Sequence, residues 1–366
     1  MTELPDTMAA MVLTGHGGPD RLEYRTDVPV PRCGPDDVLI RVGACGLNNT
    51  DINTRSGWYS KAVTEATTGE AHAAVDEDDP TWGGTGLSFP RIQGADVCGT
   101  VVAVGQNADP GLMGRRVLGD CWLRDWDGDP KGFANTGYYG SERDGGFAQY
   151  ATHDRRNVVP VDSDLSDAQL ATLPCSWTTA EGMLARAGVA KGDVVLVTGA
   201  SGGVGSALLQ LAKRRGATVI GMASAAKHDA LSVCGADALI GRSPDDLPDA
   251  LRRAIGRDEV TVVCDVVGGP GFPPLIECLA RGGRYVVSGA IAGPIVDLDL
   301  RTLYLRDLTF LGSTITPTHV FRDMVGYVEK GEVKPMLAAT YPLAELREAQ
   351  AAFVAKEHVG NIVVVP

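Results

Sequence analysis

The chain has 366 residues, 44% hydrophobic and 22% charged, ordinary globular usage at a length beyond one typical core, so two domains are expected. With 33 Lys and Arg against 46 Asp and Glu, the formal net charge of −13 excludes a general polyanion-binding surface, and with it a nucleic-acid partner, but leaves room for a local pocket for one phosphate. No run reaches the ~18–20 apolar residues of a membrane span and MTELPDTMAA has no basic-then-apolar leader, so no membrane is expected and the expected location is cytoplasmic.

From Met8 to about Val159 the chain offers short strand candidates, Ala9–Leu13, Val38–Val42, Gly99–Val104, Arg116–Gly119 and Ala148–Thr152, among Gly- and Pro-rich turns. That texture predicts an irregular β domain. A helical link over Ser166–Ala187 follows. Beyond it, Val194–Val197 reads as a strand buried on both faces, and further strands are predicted at Ala217–Met222, 238–240, 260–267, 284–288 and 308–312, separated by helical stretches. This repeating βα pattern predicts a doubly wound parallel sheet. Phe321–Lys330 and Leu343–Lys356 read as helices, and a last strand, Asn361–Val365, lies far enough along to return to the first domain. The eight cysteines, Cys33, Cys45, Cys98, Cys121, Cys175, Cys234, Cys264 and Cys278, form no C-x-x-C pair and read as buried small residues in a reducing compartment. No disulfide is expected.

The densest signal is VVLVTGASGGVGSALLQLAKRR at 194–215, a strand, a glycine turn and a helix in the order that cradles a dinucleotide pyrophosphate. Ala200, Gly202 and Gly205 take the three small-residue positions, for the tight turn, the approach of backbone to pyrophosphate, and helix-on-strand packing. Gly199–Gly205 reads as the turn, the N-terminus of the helix that follows offers free N–H groups, and Leu208, Leu209, Leu211 and Ala212 face the sheet. A nicotinamide cofactor is expected. At the tip of the second strand, where an NAD site places a carboxylate, stand Ala223 and Ser224. Ser224, Lys227 and His228 are candidate donors to a 2′-phosphate, so NADPH is favoured; the alternative reading of Lys227 is a solvated lysine at a helix start.

Two long segments, 60–88 with an acidic run at Asp76–Asp79 and 121–143 rich in aromatics, leave the first domain. Trp58, Trp122, Trp126, Tyr138 and Tyr139 are candidates to shape a pocket for a flat or bulky apolar acceptor; the alternative is that they anchor long loops.

The motifs GACGLNNTDINTRSGWY (43–59), FPRIQGADVCGTVVAVG (89–105), DGGFAQYAT (144–152), LPCSWTTAEGML (173–184), VTGASGGVG (197–205), DVVGG (265–269) and HVGNIVV (358–364) together span nearly the whole chain. They make it resemble the medium-chain dehydrogenase/reductase superfamily and, within it, the zinc-independent quinone oxidoreductase branch that includes ζ-crystallin. The resemblance implies an α/β fold, a Rossmann doubly wound parallel sheet over 176–317 plus a discontinuous, irregular mainly-β GroES-like catalytic domain over 1–175 and 318–366. A homodimer or homotetramer is implied, with the apolar-alternating segment Ile295–Leu300 near an edge strand.

Aligned on the superfamily's catalytic zinc ligands, Asn48 stands at the first Cys, Ala95 at the His with Asp96 after it, and Cys175 at the third position. One thiolate does not hold Zn²⁺. The stretch 120–146, where a structural zinc would need four cysteines, has only Cys121, so no metal is expected. Without a Lewis acid, NADPH-dependent reduction of an activated C=C or a quinone is the expected reaction, because the charge delocalises into an enolate or phenolate. The resemblance puts Asn48 and Tyr59 forward as donors, with Asp51 orienting the first loop. Together with Thr179, which lies in the helix that meets the nicotinamide in this superfamily, the expected cofactor positions are Ala200, Ser201, Gly202, Gly203, Val204, Gly205, Ser224, Lys227, Val267, Ser288, Gly289, Ile291 and Ser313, and the expected substrate-pocket residues are Trp58, Trp122 and Tyr138. Gly360-Asn361 replaces the Gly-Lys common in related reductases, removing a basic contact. The alternatives are a zinc-independent carbonyl reductase or alcohol dehydrogenase, and a low-turnover NADPH-binding protein.

Overall fold

The computed structural model describes residues 4–72, 86–129 and 136–366. The acidic run Asp76–Asp79 lies outside them.

Six parallel strands form one sheet in the spatial order Ala238–Gly241, Thr218–Ala223, Val194–Val197, Val260–Asp265, Leu279–Val287, Thr309–Gly312. The chain runs outward from Val194–Val197 in one direction, then crosses back to Val260–Asp265 and runs outward in the other. The crevice between those two strands is therefore the switch point at which such sheets bind ligands. The central strand is apolar throughout because both its faces are covered. Val195 and Val197 pack with Leu208, Leu209 and Trp177 on one side, and Val194 and Leu196 with Leu251, Leu275 and Ile276 on the other. Leu279–Val287 starts earlier than the predicted 284, because Leu279 pairs with Val260 ahead of an irregularity in register.

The first domain carries a seven-stranded sheet and a three-stranded sheet. At the heart of the larger one, Asp37–Gly46 pairs antiparallel with Asp96–Val104 on one side and with the final strand on the other. That final strand, Asn361–Val365, pairs with it at Gly46 and Cys45 and runs parallel to Leu337–Pro342. The C-terminus thus closes the first sheet after the parallel domain is complete. The helical link is two helices, Asp167–Leu170 and Pro174–Arg186; Pro174, lacking an N–H, opens the second where no intrahelical donor is needed. All eight cysteines are free thiols. Among the described residues no helix is long and apolar enough to cross a membrane.

Candidate active site

Strand Asp37–Gly46 delivers the chain to Asn48, which precedes the helix Asn49–Ser56. The Asn48 backbone N–H donates to Asp51 Oδ2 at 2.8 Å, a reciprocal cap of the helix start. Its side-chain Nδ2 donates to Asp96 Oδ2 at 2.9 Å, and its Oδ1 accepts from Ser176 Oγ at 3.3 Å. Asp96 Oδ1 accepts from the Cys175 N–H at 2.8 Å, and Ser176 Oγ accepts from Asn361 Nδ2 at 3.0 Å. Four distant segments, the 48–51 loop, the Asp96 strand, the helix from Pro174 and the final strand, thereby meet in one buried polar network. Burial pushes the Asp51 carboxyl up to about 7 against the pull of the Asn48 and Gly94 amides. Burial likewise holds Asp96 well above the ordinary carboxylate range, with Cys175 beside it adding to the shift.

Tyr59 is half-buried, and its hydroxyl bonds to the side chains of Thr50 and Asn53; burial nevertheless pushes it up to about 12, so it stays a neutral donor at physiological pH. Trp58 packs edge-on against Tyr59 at 5.6 Å between ring centroids and donates from Nε1 to Glu65 O. Across the site, Trp122 and Tyr138 pair on neighbouring two-residue strands and pack with Ala95, Cys121 and Cys175.

Two of the five aromatic candidates do something else. Trp126 donates from Nε1 to Asn157 Oδ1 at 3.0 Å and lies under the Arg156 guanidinium. Tyr139 is fully buried, stacks on His153 at 3.9 Å, and accepts from the Asp154 N–H. Both rings anchor their loop to the first-domain sheet through their polar atoms, and Tyr139 packs in the same cluster as Trp122 and Tyr138.

The glycine turn is built for a ligand. Gly199 adopts φ +56, a left-handed conformation that a β-carbon would strain, so the tight turn falls on Gly199 and not on Ala200. Ala200 is fully buried, and its N–H is committed to Met222 O. A β-carbon at Gly205 would lie 2.2 Å from Gly199 O, which explains the close packing of helix Gly203–Arg214 on the turn. At Gly202 a β-carbon would meet nothing nearer than Gly199 O at 3.6 Å, so the turn is open there. At Gly203 it would come within 2.6 Å of Asn361 and of Ser176 Oγ, and Asn361 Oδ1, buried there, has no hydrogen-bond partner. An unfilled acceptor beside a helix N-terminus fits a dinucleotide that brings both anionic oxygens and hydroxyl donors. Ser201 O accepts from Gly360 N–H, tying the turn to the first domain, and Val204 is half-buried in the first turn of the helix.

The other expected cofactor positions gather at the carboxyl ends of the later strands. Asp265 accepts from Thr198 Oγ1, Tyr285 Oη and the amides of Val267 and Gly268, which fixes the loop carrying Val267. Ser288 N–H bonds to Asp265 O, Gly289 lies against Val266, Ile291 O accepts from Thr67 N–H, and Ser313 N–H bonds to Val287 O. Thr179 bonds to the Cys175 thiol.

At the tip of Thr218–Ala223, Ser224 O accepts from the Lys227 N–H, and His228 is held by Ala223 O. Lys227 Nζ bonds to Ser201 Oγ at 3.3 Å and to the carbonyls of Lys356 and His358. Lys356, a residue the sequence did not suggest, adopts φ +55 and donates from Nζ to Asn49 Oδ1 at 2.8 Å. Burial and the neighbouring Lys227 lower it to about 7. Lys356 thus brings a cation beside the site where Asn361 lacks one.

The zinc positions hold a different donor set. Ala95 is fully buried with no donor atom, and the Asn48 amide is engaged by Asp96 and Ser176. Among the described residues no group of three His, Cys, Asp or Glu side chains is placed to hold a metal. These residues do not fit a catalytic zinc.

Residues 34–163 match the alcohol dehydrogenase GroES-like domain family and residues 203–330 the zinc-binding dehydrogenase family. Acryloyl-coenzyme A reductase of Sulfurisphaera tokodaii is 29% identical over 98% of this chain and 100% of its own length. Quinone oxidoreductase of Mus musculus is 28% identical over 93% of this chain and 92% of its own. A Sinorhizobium meliloti crystal structure covers 100% of this chain and 98% of its own at 44% identity, with a TM-score of 0.91. The chain belongs to the medium-chain dehydrogenase/reductase superfamily.

Proposed function

We propose that the chain is a zinc-independent, NADPH-dependent reductase of an activated C=C, an enone or enoyl thioester, or of a quinone. The observation that carries this reading is the Asn48–Asp96–Ser176 network standing, with Ala95, where a Lewis acid would need its donors. Charge developing on a substrate oxygen must then be met by N–H and O–H groups alone. That favours acceptors whose charge delocalises over several atoms. The full-length similarity to an acryloyl-coenzyme A reductase and a quinone oxidoreductase supports the same acceptor classes.

A reduced nicotinamide, when bound, supplies the hydride. Tyr59, neutral and held by Thr50 and Asn53, presents Oη as the hydrogen-bond donor and proton source for the enolate or phenolate. Asp96 and Ser176 lock the Asn48 amide, and Asp51 fixes the loop that carries it. Trp58, Trp122 and Tyr138 supply flat apolar walls and exclude water. NADPH is preferred because no carboxylate stands at Ala223–Ser224, while Lys227 holds its charge at Ser201 and Lys356 lies close enough to be lowered by it.

The test is oxidation of NADPH and of NADH by chelator-treated protein against enoyl thioesters, enones, quinones and simple ketones, with product identification. Saturation of C=C with retention of C=O, or reduction of the quinone, is the expected outcome, with NADPH ahead of NADH. Products in which only an isolated ketone has become an alcohol would overturn the reading.

A further inference from the structure

The mechanism leaves unused a cluster of sulfur and hydroxyl groups on the wall of the site. Cys175 lies in the first turn of the 13-residue helix Pro174–Arg186 and is half-buried. Its thiol is a hydrogen-bond partner of the Cys121 thiol and also bonds to Tyr138 and Thr179. Cys121 is 1% exposed and packs in one apolar cluster with Ala95, Trp122, Tyr138 and Cys175. The two thiols are thus hydrogen-bond partners in one cluster, Cys175 half-buried and Cys121 sealed behind it.

We propose that Cys175 and Cys121 form a two-cysteine oxidation site that takes hydroperoxides, Cys175 as the attacking thiolate and Cys121 as the resolving thiol. In the first step Cys175 sulfur attacks the terminal peroxide oxygen and the O–O bond breaks. The leaving oxygen departs as water or an alcohol after taking a proton, and Cys175 becomes a sulfenic acid. In the second step Cys121 sulfur attacks that of Cys175; an S–S bond forms, the S–O bond breaks, and the hydroxyl leaves with the Cys121 proton as water. Two thiols lose two electrons and one peroxide gains them, so the steps balance without a further reactant.

The division of roles follows from the surroundings. Hydrogen bonds from Cys121, foremost, and from Tyr138 and Thr179 draw the Cys175 thiol below its ordinary value, toward the thiolate, against burial and the charge of Asp51. Burial pushes the other seven thiols, Cys121 included, above theirs. Cys175, half-buried where Cys121 is 1% exposed, is therefore the member of the pair placed to meet a peroxide, with Cys121 behind it to resolve.

The experiment is peroxide treatment of the full-length protein, alkylation of the remaining thiols and non-reducing peptide mapping, with and without NADPH. A cross-linked peptide joining Cys121 to Cys175, its reversal by dithiothreitol and slower formation with NADPH bound are expected. In Cys121→Ser, the sulfenic acid at Cys175 is expected to persist and be trapped by dimedone. Peroxide treatment that leaves both cysteines open to alkylation would overturn the proposal, as would conversion of Cys175 to sulfinic acid while Cys121 remains reduced. The mapping reads the wild-type chain directly, so it stands even if the variant fails to fold and whichever acceptor the enzyme reduces.

Discussion

At the scale of residues, the site separates into groups that meet substrate and groups that hold them. Tyr59→Phe removes the proposed proton source while keeping the ring against Trp58. Steady-state kinetics should show kcat on a conjugated acceptor falling ~10²-fold with little change in KM for the cofactor; an unchanged kcat would remove Tyr59 from the mechanism. Asp51 tests the loop through pH. Its folded carboxyl is raised to about 7, so the native state binds the extra proton and Asp51's contribution to stability is present at low pH. That contribution is lost as pH rises from the usual carboxylate range through about 7. Asp51→Asn, still able to accept from the Asn48 amide, should therefore gain stability relative to wild type across that window in denaturant titrations. Parallel curves would contradict the assigned shift. Asn48, Asp51 and Tyr59 were legible because they sit in one short motif. The partners that position them were not: Ser176 lies 128 residues from Asn48, and Lys356 307 residues from Asn49. Only folding reveals such pairs.

At the scale of elements, the turn and helix from Gly199 to Arg214 connect cofactor to chemistry. Gly203→Ala would drive a β-carbon into Asn361 and Ser176, the hinge between turn and active-site network. NADPH affinity measured by fluorescence titration should drop while the parallel sheet stays folded by circular dichroism. Beside it, Lys227→Ala should erode the preference for NADPH over NADH roughly tenfold or more in kcat/KM, the scale of one charge-assisted hydrogen bond; an unchanged ratio would return Lys227 to a structural role. Lys356, lowered to about 7, loses its charge as pH rises through that value. NADPH binding should weaken over the same range in wild type but not in Lys356→Met. The parallel strands were readable because each is a compact apolar run buried on both faces. Leu337–Pro342, whose residues alternate between half-buried and exposed, and the two-residue strands at Trp122–Leu123 and Gly137–Tyr138 carry too little apolar pattern to read.

At the scale of the whole molecule, the final strand explains how two domains form one site. By adding Asn361–Val365 to the first sheet directly after Gly360 has bonded to Ser201, the chain fastens the cofactor turn to the Asn48 loop. Ile295, Leu300, Tyr304 and Leu305 are exposed in the segment that leads into Thr309–Gly312, the outermost strand of the parallel sheet. We propose a second copy of this chain there, edge to edge. Leu300→Glu with Leu305→Glu should lower the sedimenting mass, and an unchanged mass would place the contact elsewhere. The reaction itself is tested by deuterium tracing. Chelator-treated protein is supplied with deuteride-labelled NADPH and an α,β-unsaturated acyl thioester. Deuterium is expected at the β-carbon of a saturated thioester, at a rate that added zinc does not change. Deuterium at a carbonyl carbon, or turnover only after zinc is restored, would contradict it.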